Sequence, residues 1–85
     1  MRHPSTEKRA RQSEKRRLRN KAIRTRVRAA VVAARTALAT KASDAAARVQ
    51  QAESLLRRAV TKGVLHTRTA SRTVARLRQA ENRAR

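Results

Sequence analysis

The chain has no phenylalanine, tyrosine or tryptophan, no cysteine, a single glycine, a single proline and only five acidic residues in 85. Each shortage excludes something. Without cysteine there is no disulfide framework and no thiolate zinc site, which agrees with a reducing compartment. Without aromatic rings there is no stacking platform of the kind that RRM-type and single-strand binders use. One glycine cannot supply a glycine-rich phosphate loop, and no Walker pattern is present. Glu7, Glu14, Asp44, Glu53 and Glu81 stand singly, and His3 and His66 lie far apart with no ligand type at metal spacing. Catalysis needs a nucleophile or base with an orienting partner, and none is legible. The sequence therefore predicts no enzyme, no metal and no cofactor. No apolar run approaches the ~20 residues of a membrane span.

What is abundant is positive charge. Twenty-four lysines and arginines give a formal net charge of +19, and nineteen of the 24 are arginine. A free compact chain with that charge repels itself, so the composition implies a polyanionic partner, and nucleic acid is the densest available. Arginine's planar fork matches phosphate oxygens in a way that a lysine point charge does not. The charge is uneven: residues 1–28 carry net +10, 29–62 net +4 and 63–85 net +5. An arginine-rich, acid-poor start also describes an organellar transit peptide. The segment is expected instead to belong to the mature protein, because the most motif-rich stretch lies inside it.

Composition favours helix throughout, with alanine, arginine, leucine, glutamine, glutamate and lysine dominant. The larger aliphatics are one isoleucine, six leucines and seven valines, plus Met1. That is a small core inventory, so a fold marginal alone and firm on its partner is expected. A first helix is predicted from about Thr6 to Ala39, with Pro4 at or before its start. Its second half has an apolar stripe at Ile23, Val27, Ala30, Val31, Ala34 and Leu38; between Thr6 and Lys21 the only apolar residues are Ala10 and Leu18. A break is expected near Thr40–Ser43, with Ser43 and Asp44 as an N-cap and first-turn acid. The second helix runs from Asp44 to about Lys62 on a stripe of Ala45, Val49, Ala52, Leu56 and Ala59, flanked by Leu55 and Val60. Near-heptad spacing suits antiparallel packing on the first helix. Arg57, Arg58 and Lys62 then sit where they complement the helix dipole. Gly63 fits just past the helix end. Val64 and Leu65 plug the bundle, and Thr67 is a candidate N-cap for a third helix to about Ala84 with Ala70, Val74 and Leu77 inward. The expected fold class is all-α: a three-helix bundle with a long, basic, projecting N-terminal helix. One domain covers 1–85, with 1–21 a basic extension of the first helix disordered without RNA and 22–85 the helical bundle.

The candidate binding residues follow from the charge. Lys8, Arg9, Arg11, Lys15, Arg16, Arg17, Arg19, Lys21, Arg24, Arg26 and Arg28 together cover the whole circumference of a helix, and only Glu7 and Glu14 can offset them at i,i+3 or i,i+4. Such a helix has nothing to pack against in water and is expected to order between phosphate surfaces. Lacking aromatics, it reads backbone and shape through arginine and lysine, aided by serine, threonine, asparagine and glutamine. Structured RNA offers closely approaching phosphates and 2′-hydroxyls for this. Duplex DNA satisfies the same charge pattern.

Two local strings add information that composition lacks. Lys8-Arg9-Ala10-Arg11-Gln12-Ser13-Glu14-Lys15-Arg16-Arg17-Leu18-Arg19-Asn20 is the first. Lys62-Gly63-Val64-Leu65-His66, followed by Thr69-Ala70-Ser71-Arg72 and Arg76-Leu77, is the second. Both resemble the bacterial small-subunit (30S) ribosomal protein S-twenty family, and their order, separation and the total length fit it too. The resemblance implies a three-helix bundle with an extended first helix, direct binding to 16S-type ribosomal RNA and support of 30S assembly. It implies RNA contact by Arg9, Arg11, Ser13, Lys15, Arg16, Arg17, Arg19 and Asn20, and by Lys62, His66, Thr69, Arg72 and Arg76. Lys8, Lys21, Arg24, Arg28 and Arg68 complete the candidate set, and Gly63 is implied as the turn residue. His66 is read as a capping or RNA-contact residue rather than a metal ligand. The chain departs from the family at its Met1-Arg2-His3-Pro4-Ser5-Thr6 start, at Thr73-Val74-Ala75, and in favouring arginine over lysine.

The expected partner is therefore small-subunit ribosomal RNA, with other components of that particle as neighbours, no membrane and no homo-oligomer. The expected location is a ribosome, bacterial and cytoplasmic in preference to organellar. A non-specific nucleoid-type DNA-binding protein is the alternative. An amphipathic membrane-surface or peptide-partner helix is a third reading, weakened by the alanine-rich apolar face.

Overall fold

The computed structural model describes residues 4–84; the first three positions, including His3, and position 85 lie outside the described residues. Three α-helices make up the fold: α1 Pro4–Ala39, α2 Ala45–Thr61 and α3 Thr67–Ala84. They run up, down and up. Helix α1 has 36 residues and is twice the length of either partner. At ~1.5 Å per residue it spans about 54 Å, and the molecule measures 63 × 21 × 13 Å along its principal axes. The length of α1 thus sets the long dimension, and its N-terminal half projects past the bundle.

The predicted stripes meet in the core. From α1, Val27, Val31, Ala34 and Leu38 are buried, with Ile23 and Ala30 partly so. From α2 come Val49, Ala52, Leu56 and Ala59, and from α3 Ala70 and Leu77. Val64 and Leu65 pack against this cluster from the α2–α3 connection, as do Val74 and Ala80 from α3. Ala34, Ala52 and Ala59 are completely enclosed. Small residues at a helix crossing let the backbones approach closely, so a core poor in large side chains still excludes water.

The helix ends explain the corners. Lys62 is the C-cap of α2. Gly63 follows at φ +75°, the left-handed region, and Val64 N–H donates to the Ala59 carbonyl at 2.9 Å while Gly63 N–H donates to Val60 at 2.9 Å. These two bonds are a Schellman closure, which favours glycine because a Cβ is disfavoured at that φ. The same closure ends α1, but Lys41 occupies the left-handed position at φ 54°. Ala42 N–H donates to Ala37 at 2.9 Å and Lys41 N–H to Leu38 at 3.3 Å.

The N-termini match expectation in part, at Pro4 and in the capping reading of His66, and depart from it at Ser43, Asp44 and Thr67. Helix α1 begins two residues early, at Pro4, because a proline in the first turn gives up an N–H that has no helical acceptor anyway. Ser43 and Asp44 do not form the expected cap. Asp44 holds the N-cap position without a side-chain cap bond and lies outside the first turn. Its carboxylate is drawn to Arg48 at 3.0 Å instead. Thr67 is already helical. The capping role falls one residue earlier, where His66 Nδ1 accepts a hydrogen bond from the Arg68 backbone N–H at 3.1 Å.

Candidate nucleic-acid interface

The basic residues fall into two groups that the fold brings to different places. Along the projecting part of α1, Lys8, Arg9, Arg11, Ser13, Lys15, Arg16, Arg17 and Arg19 are all exposed, as is every described residue from 4 to 19. No other helix packs on this stretch, so the side chains radiate on all sides. One pair interrupts the positive field: Arg17 donates Nη2 and Nε to the two Glu14 carboxylate oxygens at 2.7 and 3.1 Å. The hydrogen bonds from Arg17, and then its charge, hold the Glu14 carboxyl below its ordinary value. Both groups are solvated, so the pair contributes little to stability. Asn20 marks where the arm meets the bundle. It is half-buried, and its Oδ1 is enclosed without a hydrogen-bond partner.

The second group gathers around the α2–α3 turn. Because α2 runs antiparallel to α1, this turn returns the chain to the middle of α1. Ile23, Arg26 and Val27 of α1 share a small cleft with Leu55, Arg58, Ala59 and Lys62 of α2. Lys62, His66, Arg68 and Thr69 are exposed at the turn and at the start of α3, and Arg72 and Arg76 continue along the outer side of α3. Lys21, Arg24, Arg26 and Arg28 are exposed on the adjoining length of α1. Residues far apart in sequence thus form one basic region at the base of the bundle. The fold does not bring Lys8–Arg19 to α3, and the arm stays a separate surface.

Sequence reasoning missed how the acids are used. It treated them as isolated, but Glu53 of α2 and Glu81 of α3 converge on Arg78. Arg78 Nη2 pairs with Glu53 Oε2, and Nη1 lies 3.2 Å from Glu81 Oε1. Arg57 completes the cluster at 2.7 Å from the other Glu53 oxygen. Glu81 is buried, and the Glu53 side chain is 16% exposed. Hydrogen bonding from Arg78, aided by the charges of Arg78 and Arg57 and opposed by burial, holds the Glu53 carboxyl below its ordinary value; Arg78 is raised in return. Arg78 thus ties α3 to α2 through Glu53, while Arg57 is spent on Glu53 within α2. The i,i+4 spacing of Glu53 and Arg57 was a readable signal; the 25-residue separation of Glu53 and Arg78 was not.

Sequence reasoning also missed Arg35. It shares a face of α1 with Arg24 and Arg28 and, with Thr69 and Thr73, lines a groove between α1 and α3. Its i+7 spacing from Arg28 could have revealed it. Among the described residues, no three His, Cys, Asp or Glu side chains gather as a metal site requires. No described helix is long and apolar enough to cross a membrane.

The fold and the surface together define a class: a small all-helical protein that displays exposed arginine and lysine on a three-helix frame. Comparison with known sequences narrows this. A family model described as ribosomal protein S20 matches residues 2–82. The small ribosomal subunit protein bS20 of Syntrophus aciditrophicus is 43% identical over 81 residues, spanning 94% of this chain and 91% of that one. The protein of the same name from Cereibacter sphaeroides is 48% identical over 75 residues, spanning 87% of this chain and 82% of its own length. The chain belongs to the ribosomal protein S20 family, a family of structural components rather than enzymes.

Proposed function

We propose that this protein is a structural constituent of the small ribosomal subunit that binds 16S-type ribosomal RNA directly and supports assembly of the particle. Membership of the S20 family carries the reading, and the unopposed charge of α1 supplies its physical basis. Arginine and lysine of the arm neutralise crowded phosphates on several sides at once. Lys62, His66, Arg68, Thr69, Arg72 and Arg76 hold a second RNA segment at the base of the bundle, together with Lys21, Arg24 and Arg28. Residues 4–21 are disordered in the free protein and become helical on RNA. The exposure of the arm and its self-repulsion support this, since helices owe most of their stability to packing. The chain acts as a single copy, on bacterial ribosomes in the cytoplasm.

Co-sedimentation of the tagged chain with ribosomal particles across a salt series tests the reading. Neutralising ~6–10 phosphates gives a log–log salt slope of about −5 to −9. Retention on the small subunit in salt that strips loosely bound basic proteins is the expected result. Loss from particles, with comparable binding to bulk DNA, would instead identify a nucleoid-type protein. For the arm, helical circular dichroism should rise on RNA addition; an unchanged signal refutes its disorder in the free state.

A further inference from the structure

Beyond phosphate clamping, the structure carries a groove with a different chemistry. It lies between α1 and α3, where the two helices diverge over Leu56. Its floor is aliphatic: Val27 and Val31 from α1, Leu56 from α2 and Leu65 from the turn. One bank carries Arg24 and Arg28 on successive turns of α1 and Arg35 two turns further on, and the other carries Thr69 and Thr73 of α3. Beyond the threonines stand Arg72 and Arg76, both exposed. Among the described residues, Arg24, Arg28 and Arg35 form no ion pair, in contrast to Arg17, Arg48, Arg57 and Arg78.

We infer that this groove seats one unpaired base of the bound RNA, its face on the aliphatic floor and its flanking phosphates on the arginines of the α1 bank. A purely phosphate-binding surface has no need of an apolar floor, and an apolar partner helix would meet three uncompensated cations at its edge. A nucleotide combines both demands in one group: a flat ring of low polarity on its faces and an anion beside it. The volume of about 270 Å³ falls just below the ~300–1,000 Å³ of drug-sized ligand pockets, which suits a single base rather than a run. Extruded bases stack on arginine planes as well as on aromatic rings, and arginine over a ring gains cation–π attraction. A chain without aromatics can hold a base in this way. Thr69 lines the opposite bank and supplies a hydroxyl for a base edge or a 2′-hydroxyl.

The inference rests on the ribosomal-RNA reading, and the absence of aromatic residues gives it an unusually clean test. Apart from the imidazoles of His3 and His66, no ring of the protein itself can shift a methyl group, so a ring current felt by a methyl remote from both must come from RNA. Valine- and leucine-methyl-labelled protein is mixed with the ribosomal RNA fragment that it protects from nuclease. Upfield shifts of the Val27, Val31 and Leu56 methyls are expected, with those of Val49, which does not line the groove, unmoved. A protected fragment that leaves these methyls unshifted overturns the base seat and leaves RNA binding standing. Failure to protect any ribosomal RNA overturns both. In a second arm, Thr69→Leu fills the groove without changing charge. It should abolish the methyl shifts and weaken RNA binding on the order of tenfold, equivalent to ~1.4 kcal/mol. Undiminished affinity, or methyl shifts that persist in the variant, overturns the inference.

Discussion

Reversing Arg16 and Arg17 together to glutamate separates the arm's electrostatics from the stability of the bundle. Both side chains are exposed, and neither belongs to the buried core. Thermal unfolding of the bundle should therefore stay where it is, apart from a small local penalty where Glu14 loses its partner and gains a like charge three residues on. RNA affinity should respond strongly. Each phosphate contact contributes ~0.9 to the log–log salt slope on a duplex, so losing two makes the slope shallower by about 1.8. Between 50 and 200 mM salt, a fourfold change, the variant then loses about twelvefold less affinity than the parent. The deficit is accordingly largest at low salt, before any added repulsion from the new carboxylates. Filter binding to 16S-type ribosomal RNA at four or five salt concentrations measures this directly. An unchanged slope would refute phosphate contact at these positions. A lowered unfolding midpoint would show that the arm packs on the bundle after all.

Three further outcomes follow from the bundle. Gly63→Ala should cost ~1–2 kcal/mol through its left-handed φ alone, because an added Cβ meets nothing within 4 Å. Lys41→Gly at the equivalent corner should stabilise, and a melt in which both variants shift the same way would contradict the paired closures. Leu77→Ala should cost ~2–5 kcal/mol, since Leu77 is 1% exposed, while Val32→Ala at 55% exposure should stay within ~0.5 kcal/mol; equal effects in a denaturant titration would mean the core is wrongly assigned. Glu53 has its carboxyl held below the ordinary 4.5, so its ion pairs stabilise the fold fully above that pH and are lost as pH falls through the lowered value. Glu53→Gln should flatten the acid-side fall in melting temperature, and a parent-like pH profile in the variant would remove the carboxylate from the explanation.

The family resemblance stood in two short strings, and the helices stood in the periodicity. Gly63 was legible as a corner because only one residue type suits that backbone at no steric cost. The corner at Lys41 was not, since a lysine in the left-handed region has no signature and owes its conformation to the two hydrogen bonds that close α1. Ser43 and Asp44 have the composition of a cap, yet Arg48 one turn later offered the Asp44 carboxylate a charged partner. The exposure of the arm residues was legible, for a side chain on an unpacked helix has no surroundings except solvent.

By itself, then, the sequence determined that the chain is helical, that its apolar residues line three faces, and that a surplus of arginine demands a polyanion. These are properties of local spacing and of composition, and they hold however the helices are arranged. Tertiary structure alone decided which charge is spent between helices and which arginines face no acid across a groove. Arg78 of α3 reaches Glu53 of α2 because those helices pack side by side, whereas Arg57 pairs with Glu53 within α2. Arg24, Arg28 and Arg35 remain unpaired because the facing bank of α3 presents threonines rather than acids. Coulombic and packing energies depend on distance in space, and only the fold sets the distance between residues as remote as Arg35 and Thr73.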